Sequence, residues 1–204
     1  MRIITISREF GSGGREIGKR LADILGFDYY DREIISEVAK VGNFDEKYVE
    51  HADERTFSGG YTLTYGRTLY YPDAMWDNSS RIMLAEQKVL KEIAQKGRDC
   101  IIVGRCADVV LEEYKPFNLF IYADEESKLK RCRLRMDHDE KLSDSALKKK
   151  MKRIDKNRAK HRGVISGIKW GCKEAYHLCI NTTEICPKEI APIVAEYAAS
   201  YFNR

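Results

Sequence analysis

Arg2-Ile3-Ile4-Thr5-Ile6-Ser7 runs directly into Arg8-Glu9-Phe10-Gly11-Ser12-Gly13-Gly14-Arg15-Glu16-Ile17-Gly18. The first six residues read as a strand, and the glycine-dense turn after them opens a helix. That helix carries Ile17, Leu21, Ile24 and Leu25 at i, i+4, i+7 and i+8, with Gly26 placed to stop it. Glycines let a backbone turn sharply and approach a ligand closely. The first amides of the following helix point outward unpaired at the positive end of its dipole, so an anion such as phosphate is the natural complement. A purely structural turn is the alternative reading of the same composition.

The phosphate-loop pattern is Gly, four residues, then Gly-Lys-Ser/Thr. Laid over this turn it places Arg8, Gly13, Gly14 and Arg15 at its defining positions, and only the middle glycine matches. Gly14 stands where a lysine would reach the β- and γ-phosphates, and Arg15 where a hydroxyl would hold magnesium. A second frame, from Gly13 to Gly18-Lys19, has the right spacing but puts Lys19 in the second helical turn, where it reads as a solvated surface residue.

The 204 residues suit one domain carrying an inserted subdomain, with a substantial core. A balance of 36 basic to 32 acidic residues, net charge +4, is too even for a dedicated nucleic-acid binder and fits a local anion pocket better. Six cysteines without a C-x-x-C pair read as reduced intracellular thiols. His51, His138, His161 and His177 are scattered and show no ligand spacing with them, so no protein-built metal site is expected. The chain opens on a strand with no charged-then-apolar leader, and no run approaches the ~18 apolar residues of a membrane span. A soluble cytoplasmic protein without membrane contact is the expectation.

Strand-like runs at 2–7, 27–30, 99–103, 118–122 and 177–180 alternate with helical stretches, which implies a parallel sheet covered on both faces. Residues 31–97 exceed what a crossover needs. They read as an inserted substrate-side subdomain ending in a helix over 80–96, with Ile82, Val89, Leu90 and Ile93 on one face and Gly97 as its stop. Tyr61, Tyr65, Tyr70 and Tyr71 in that stretch pack a small satellite core or stack on a base. Residues 127–162 form a basic helical tract whose arginines suit two-point phosphate binding on a mobile flap. The last helix starts at Pro187 and presents Ile190, Ile193, Val194, Tyr197 and Tyr201, with Pro192 expected to bend or break it.

The third strand runs into Val103-Gly104-Arg105-Cys106-Ala107-Asp108, a strand-terminal Gly-Arg where open α/β sheets place ligands. Taken in order with the opening turn, Tyr30-Asp31-Arg32-Glu33, Ile154-Asp155-Lys156-Asn157-Arg158, Trp170-Gly171 and the stretch from Tyr176 to Thr183, it resembles the cytidylate kinase-like family over nearly the whole chain. That resemblance implies a branch of the nucleoside monophosphate kinases, of the phosphate-loop nucleoside triphosphate hydrolase-like class. The implied architecture is an α/β three-layer sandwich with a five-stranded parallel sheet in the order 2-3-1-4-5. It forms a single domain over 1–204, with an acceptor-side insert at about 44–78 and an arginine-rich helical lid at about 131–170.

By the same likeness Gly11, Ser12, Gly13, Gly14, Arg15 and Glu16 wrap the donor phosphates, while Asp31 and Arg32 border the acceptor. Arg105 corresponds to the arginine in the Gly-Arg-Asp of bacterial cytidylate kinases, which helps bind the acceptor nucleotide, so the resemblance implies an acceptor ligand here; Cys106 stands in place of that aspartate, with Asp108 two residues on. The lid series here is Arg153, Asp155, Arg158 and Arg162, without the Pro-Leu that follows it in the bacterial enzymes. Arg131, Arg135, Arg158 and Arg162 are the expected phosphate ligands, with Asp155 toward the substrate. Asn181-Thr182-Thr183 resembles the loop touching the adenine of ATP, and reads equally as a turn capped by its own side chains.

The implied chemistry is transfer of the γ-phosphoryl of ATP to a nucleoside monophosphate, CMP or dCMP first, with Mg2+ arriving on the nucleotide, held largely by phosphates and water. Arg15 supplies the charge of the absent lysine and works with Arg131, Arg158 and Arg162 in catalysis. The rival readings are a kinase of another small acceptor and a nucleotide-binding regulator without turnover. Nucleic-acid binding through the basic tract is disfavoured, and oligomerisation is left open.

Overall fold

Successive side chains of a strand point to opposite sides, so a strand at the centre of a covered sheet must be apolar on both. In the computed structural model, which describes residues 1–47, 49, 73–136 and 142–203, with the backbone alone for 73–79, the opening run satisfies that condition. It forms β1 (Ile3–Arg8), flanked by β3 (Cys100–Val103) and β4 (Phe117–Tyr122), with β2 (Asp28–Tyr30) and β5 (Leu178–Asn181) at the edges. All four pairings are parallel, in the order β2-β3-β1-β4-β5.

The described helices are α1 (Gly14–Leu25), α2 (Glu33–Gly42), α3 (Asp73–Gln95), α4 (Ala107–Val110), α5 (Glu125–Arg135), α6 (Asp144–Ser166) and α7 (Pro187–Phe202). Ile4 and Ile6 join Ile101, Val103, Leu119 and Ile121 in a core covered by α1 and α7. Ile3, Cys100 and Ile102 turn the other way, against Ile34 and Val38 of α2 and Val89 and Leu90 of α3. Each such aliphatic side chain contributes about 1.5–3 kcal/mol by leaving water. The result is the three-layer sandwich expected of the sequence.

Helix α3 begins at Asp73 and stops before Gly97, whose φ of 70° is the left-handed conformation of a helix end. The basic tract becomes α5 and α6, started by the Asp124 side chain accepting from the Ser127 amide (2.7 Å) and the Ser143 hydroxyl accepting from the Ala146 amide (3.2 Å). α7 runs unbroken through Pro192, which lies in its second turn and removes one backbone donor without ending the ladder. Of the acceptor-side insert, residues 50–72, including the four tyrosines, lie outside the described residues. No helix among the described residues is long and apolar enough to cross a membrane.

Candidate active site

The carboxyl ends of β1, β3, β4 and β5 converge, and β1 sits where the strand order switches direction, the position at which open α/β sheets bind ligands. Here the chain leaves β1 through Gly11 and Gly13, with φ of 79° and 87°. Gly13 is the left-handed N-cap of α1 and leaves its first amides without a side-chain cap. A Cβ on Gly13 would stand 2.6 Å from Pro187 Cγ, and one on Gly14 2.6 Å from Arg8 Cβ. Packing by α7 and Arg8, as well as backbone conformation, therefore demands glycine here.

One local and several long-range bonds fix the turn. The Ser12 hydroxyl donates to the Glu9 carbonyl (2.8 Å), and the Ser12 carbonyl accepts from the buried Thr182 hydroxyl (2.7 Å) at the end of β5. The Phe10 amide donates to Asp155 Oδ1 (2.7 Å), and Arg158 Nη1 donates to the Arg8 carbonyl (3.0 Å). Lys128 Nζ lies 2.8 Å from Glu9 Oε2 and 3.8 Å from Asp155 Oδ2. Phe10 packs against the small core of Cys132, Leu147 and Met151 between α5 and α6. Helices α5 and α6 thus grip the turn directly.

Above the turn lies a cavity of about 430 Å3. Arg8, Arg15 and Arg32 line it from the sheet side; Arg131, Arg135, Lys150 and Arg158 line it from α5 and α6. Among the described residues lining it, Glu9 is the sole acid. Phe10, Met136, Leu142 and Leu147 add an apolar wall. Asp31, buried behind the cavity, holds Arg15 Nε at 2.5 Å and lies 3.7 Å from Arg8 Nη2. Arg131 donates to the hydroxyl (3.2 Å) and carbonyl of Thr182, and Arg135 pairs with Glu16, which also holds Arg20 at 3.0 Å.

Burial pushes the Asp155 carboxyl up to about 6, although the Phe10 amide, Arg158 and Lys128 pull the other way. Burial, then Asp31, pushes Tyr29 up to about 12, so it stays a phenol and donates to the Arg15 carbonyl at 3.3 Å.

Of the residues expected to bind ligands, Gly11, Gly13, Gly14, Arg15, Arg32, Arg131, Arg135 and Arg158 line the cavity. Ser12 and Thr182 are buried beneath the turn, Asp31 backs Arg15, Asp155 holds the turn's backbone, and Glu16 is paired at the start of α1. Asn181 accepts from the Thr183 amide (3.0 Å) and hydroxyl (2.7 Å), a self-capped turn.

Arg105 and Arg162 do not line the cavity. Arg105 is buried against Glu86 of α3, and Arg162, 2% exposed, pairs with Asp108 of α4. His161 joins them: its Nε2 is 3.3 Å from Glu86 Oε2 and its Nδ1 3.6 Å from Cys106 Sγ. Burial alone would lower His161, but Cys106 and Glu86 raise it to about 10. The sequence reading assigned no role to Arg8, Glu9, Phe10 or Lys150. The first three sit inside the quoted motif, where Arg8 merely fails a pattern; Lys150 is indistinguishable from its neighbours in a charge run.

A parallel sheet in this order, with a glycine turn leading from its central strand into a helix and two basic helices over that turn, defines a phosphate-loop kinase fold. Solved structures share it. An uncharacterized protein from Eubacterium ventriosum superposes with a TM-score of 0.72 at 24% identity, covering 98% of this chain and 99% of that one. Shikimate kinase from Acinetobacter baumannii, in complex with shikimate, gives 0.57 at 14% identity over 98% and 94%. The shikimate kinase from Bacteroides thetaiotaomicron gives 0.57 at 11% over 100% and 99%. The sequence matches the cytidylate kinase-like family over residues 3–184, and the chain belongs to that family. No curated protein matches it.

Proposed function

We propose that this chain transfers the γ-phosphoryl of ATP to a nucleoside monophosphate, with CMP or dCMP as the first acceptors. One observation carries the reading: a cavity whose described lining residues include seven cations and one acid, sitting on helix amides without a side-chain cap at the switch point of a kinase-family fold. A polyphosphate has the charge and the oxygen geometry to satisfy that lining.

Magnesium-bound ATP supplies the phosphoryl group and a good leaving group. The chain's own residues bind and orient. Amides at the start of α1 and the Arg15 side chain face the donor phosphates, while Arg131, Arg135 and Arg158 neutralise charge from the lid side. Asp31 and Arg32 border the acceptor end. The apolar wall of Phe10, Met136, Leu142 and Leu147 limits water around the transferred group. Magnesium would arrive on the nucleotide, held largely by phosphates and water.

A second acceptor class is favoured by a specific contact: Arg105, the expected acceptor ligand, is engaged by Glu86. A kinase of another small phosphorylatable metabolite fits that arrangement. A coupled assay of ATP consumption with CMP, dCMP, UMP, AMP and shikimate decides between them. Turnover confined to CMP and dCMP supports the leading reading. ATP binding without turnover on any acceptor overturns it in favour of a non-catalytic nucleotide binder. Arg15→Ala should lower kcat/KM about 10- to 100-fold on the best acceptor.

A further inference from the structure

Two departures from the phosphate-loop pattern are one exchange in space. The pattern wants glycine at position 8 and lysine at position 14, and the chain has arginine and glycine there. A Cβ built on Gly14 falls 3.1 Å from Arg8 Cγ and 2.6 Å from Arg8 Cβ, the latter closer than real Cβ atoms approach. The two positions therefore share one side-chain volume, and only one of them can fill it. Here the side chain enters from the end of β1 instead of from the start of α1.

The arginine that enters is held in place. Its side chain is 15% exposed and lines the cavity, with Nη2 3.7 Å from Asp31 Oδ1. Its guanidinium lies close over Gly104, where an added Cβ would displace it. Arg158 binds its carbonyl. Arg15, by contrast, is 52% exposed at its side chain and spends its Nε on Asp31. An arginine keeps its charge when buried and offers phosphate a planar fork, which a lysine does not.

We propose that Arg8 is the cation that replaces the missing lysine at the donor phosphates, with Asp31 fixing its orientation and Arg15 completing the Asp31 pair from the rim. The inference rests on the phosphoryl-transfer reading for its kinetic arm, while its binding arm stands without it.

The test compares wild type, Arg8→Gly, Arg8→Lys and the double variant Arg8→Gly/Gly14→Lys, which restores the ordinary pattern and removes the clash. Tripolyphosphate and ATP binding are measured by calorimetry, turnover with the best acceptor, and folding by circular dichroism. In folded Arg8→Gly, tripolyphosphate affinity should fall at least about tenfold and kcat about 10²- to 10³-fold. The double variant should regain at least about tenfold of the lost kcat, and Arg8→Lys should fall between wild type and Arg8→Gly. Wild-type affinity in Arg8→Gly, or a folded double variant no better than Arg8→Gly, overturns the assignment. If the double variant does not fold, the two single variants decide. A wild-type protein without turnover sinks the kinase reading alone, because loss of tripolyphosphate binding in Arg8→Gly would still uphold Arg8 as the phosphate cation.

Discussion

Asp155 connects a single carboxyl to the shape of the glycine turn. In an unfolded chain it titrates near 3.8, and in the folded protein burial moves it to about 6. Between those values the folded state holds the extra proton, so this group's contribution to stability falls as pH rises from about 4 to about 6, by up to about 3 kcal/mol. Asp155→Asn keeps an oxygen for the Phe10 amide and loses the charge. Urea unfolding at pH 4.5 and 7 should therefore show the variant losing less stability, or gaining more, than wild type between the two; an equal change would contradict the assignment. At this scale the sequence reading reached residues whose role is written in backbone conformation, such as Gly11 and Gly13. It could not reach pairs such as Phe10 with Asp155 or Arg131 with Thr182, whose members are brought together only by the sheet.

The glycine turn is rigid because neighbouring elements crowd it. Gly13→Ala forces a side chain onto a φ of 87° and against Pro187 of α7, and should lower stability by about 1–3 kcal/mol, read as a drop in Tm. Helix α6 is pinned near its carboxyl end by the buried Arg162–Asp108 pair. Asp108→Ala leaves that guanidinium without its carboxylate and should cost about 3–5 kcal/mol by denaturant unfolding, whereas replacing both partners with apolar residues of similar volume should cost much less. The basic tract was legible as helical and arginine-rich. Which of its arginines face the cavity was not, because Arg158 and Arg162 are one helical turn apart and face different neighbours: the turn's backbone and a buried aspartate. Periodicity within a charge run carries no signal that separates the two.

Across the whole molecule, strand order and layer assignment followed from alternation of apolar runs and from the resemblance, since a central parallel strand must be apolar on both faces. The cavity itself was not readable, because it is built from residues 8 to 158 and its shape depends on how α5 and α6 settle over the turn. Helix α6 touches both ends of the site. Asp155 and Arg158 hold the glycine turn, and His161 and Arg162, a turn further on, hold the buried cluster of Glu86, Arg105, Cys106 and Asp108 below the end of β3. A rigid helix held at two successive turns transmits displacement between the two holds. If the acceptor lies on the β3 side, as the proposed function has it, an occupant that draws Arg105 away from Glu86 alters how firmly the helix presses on the glycine turn. Under that reading donor and acceptor affinities should be thermodynamically linked, each ligand changing the dissociation constant of the other by the same factor. His161→Gln, which loosens one hold while leaving every cavity-lining residue in place, should shrink that factor toward unity in paired titrations.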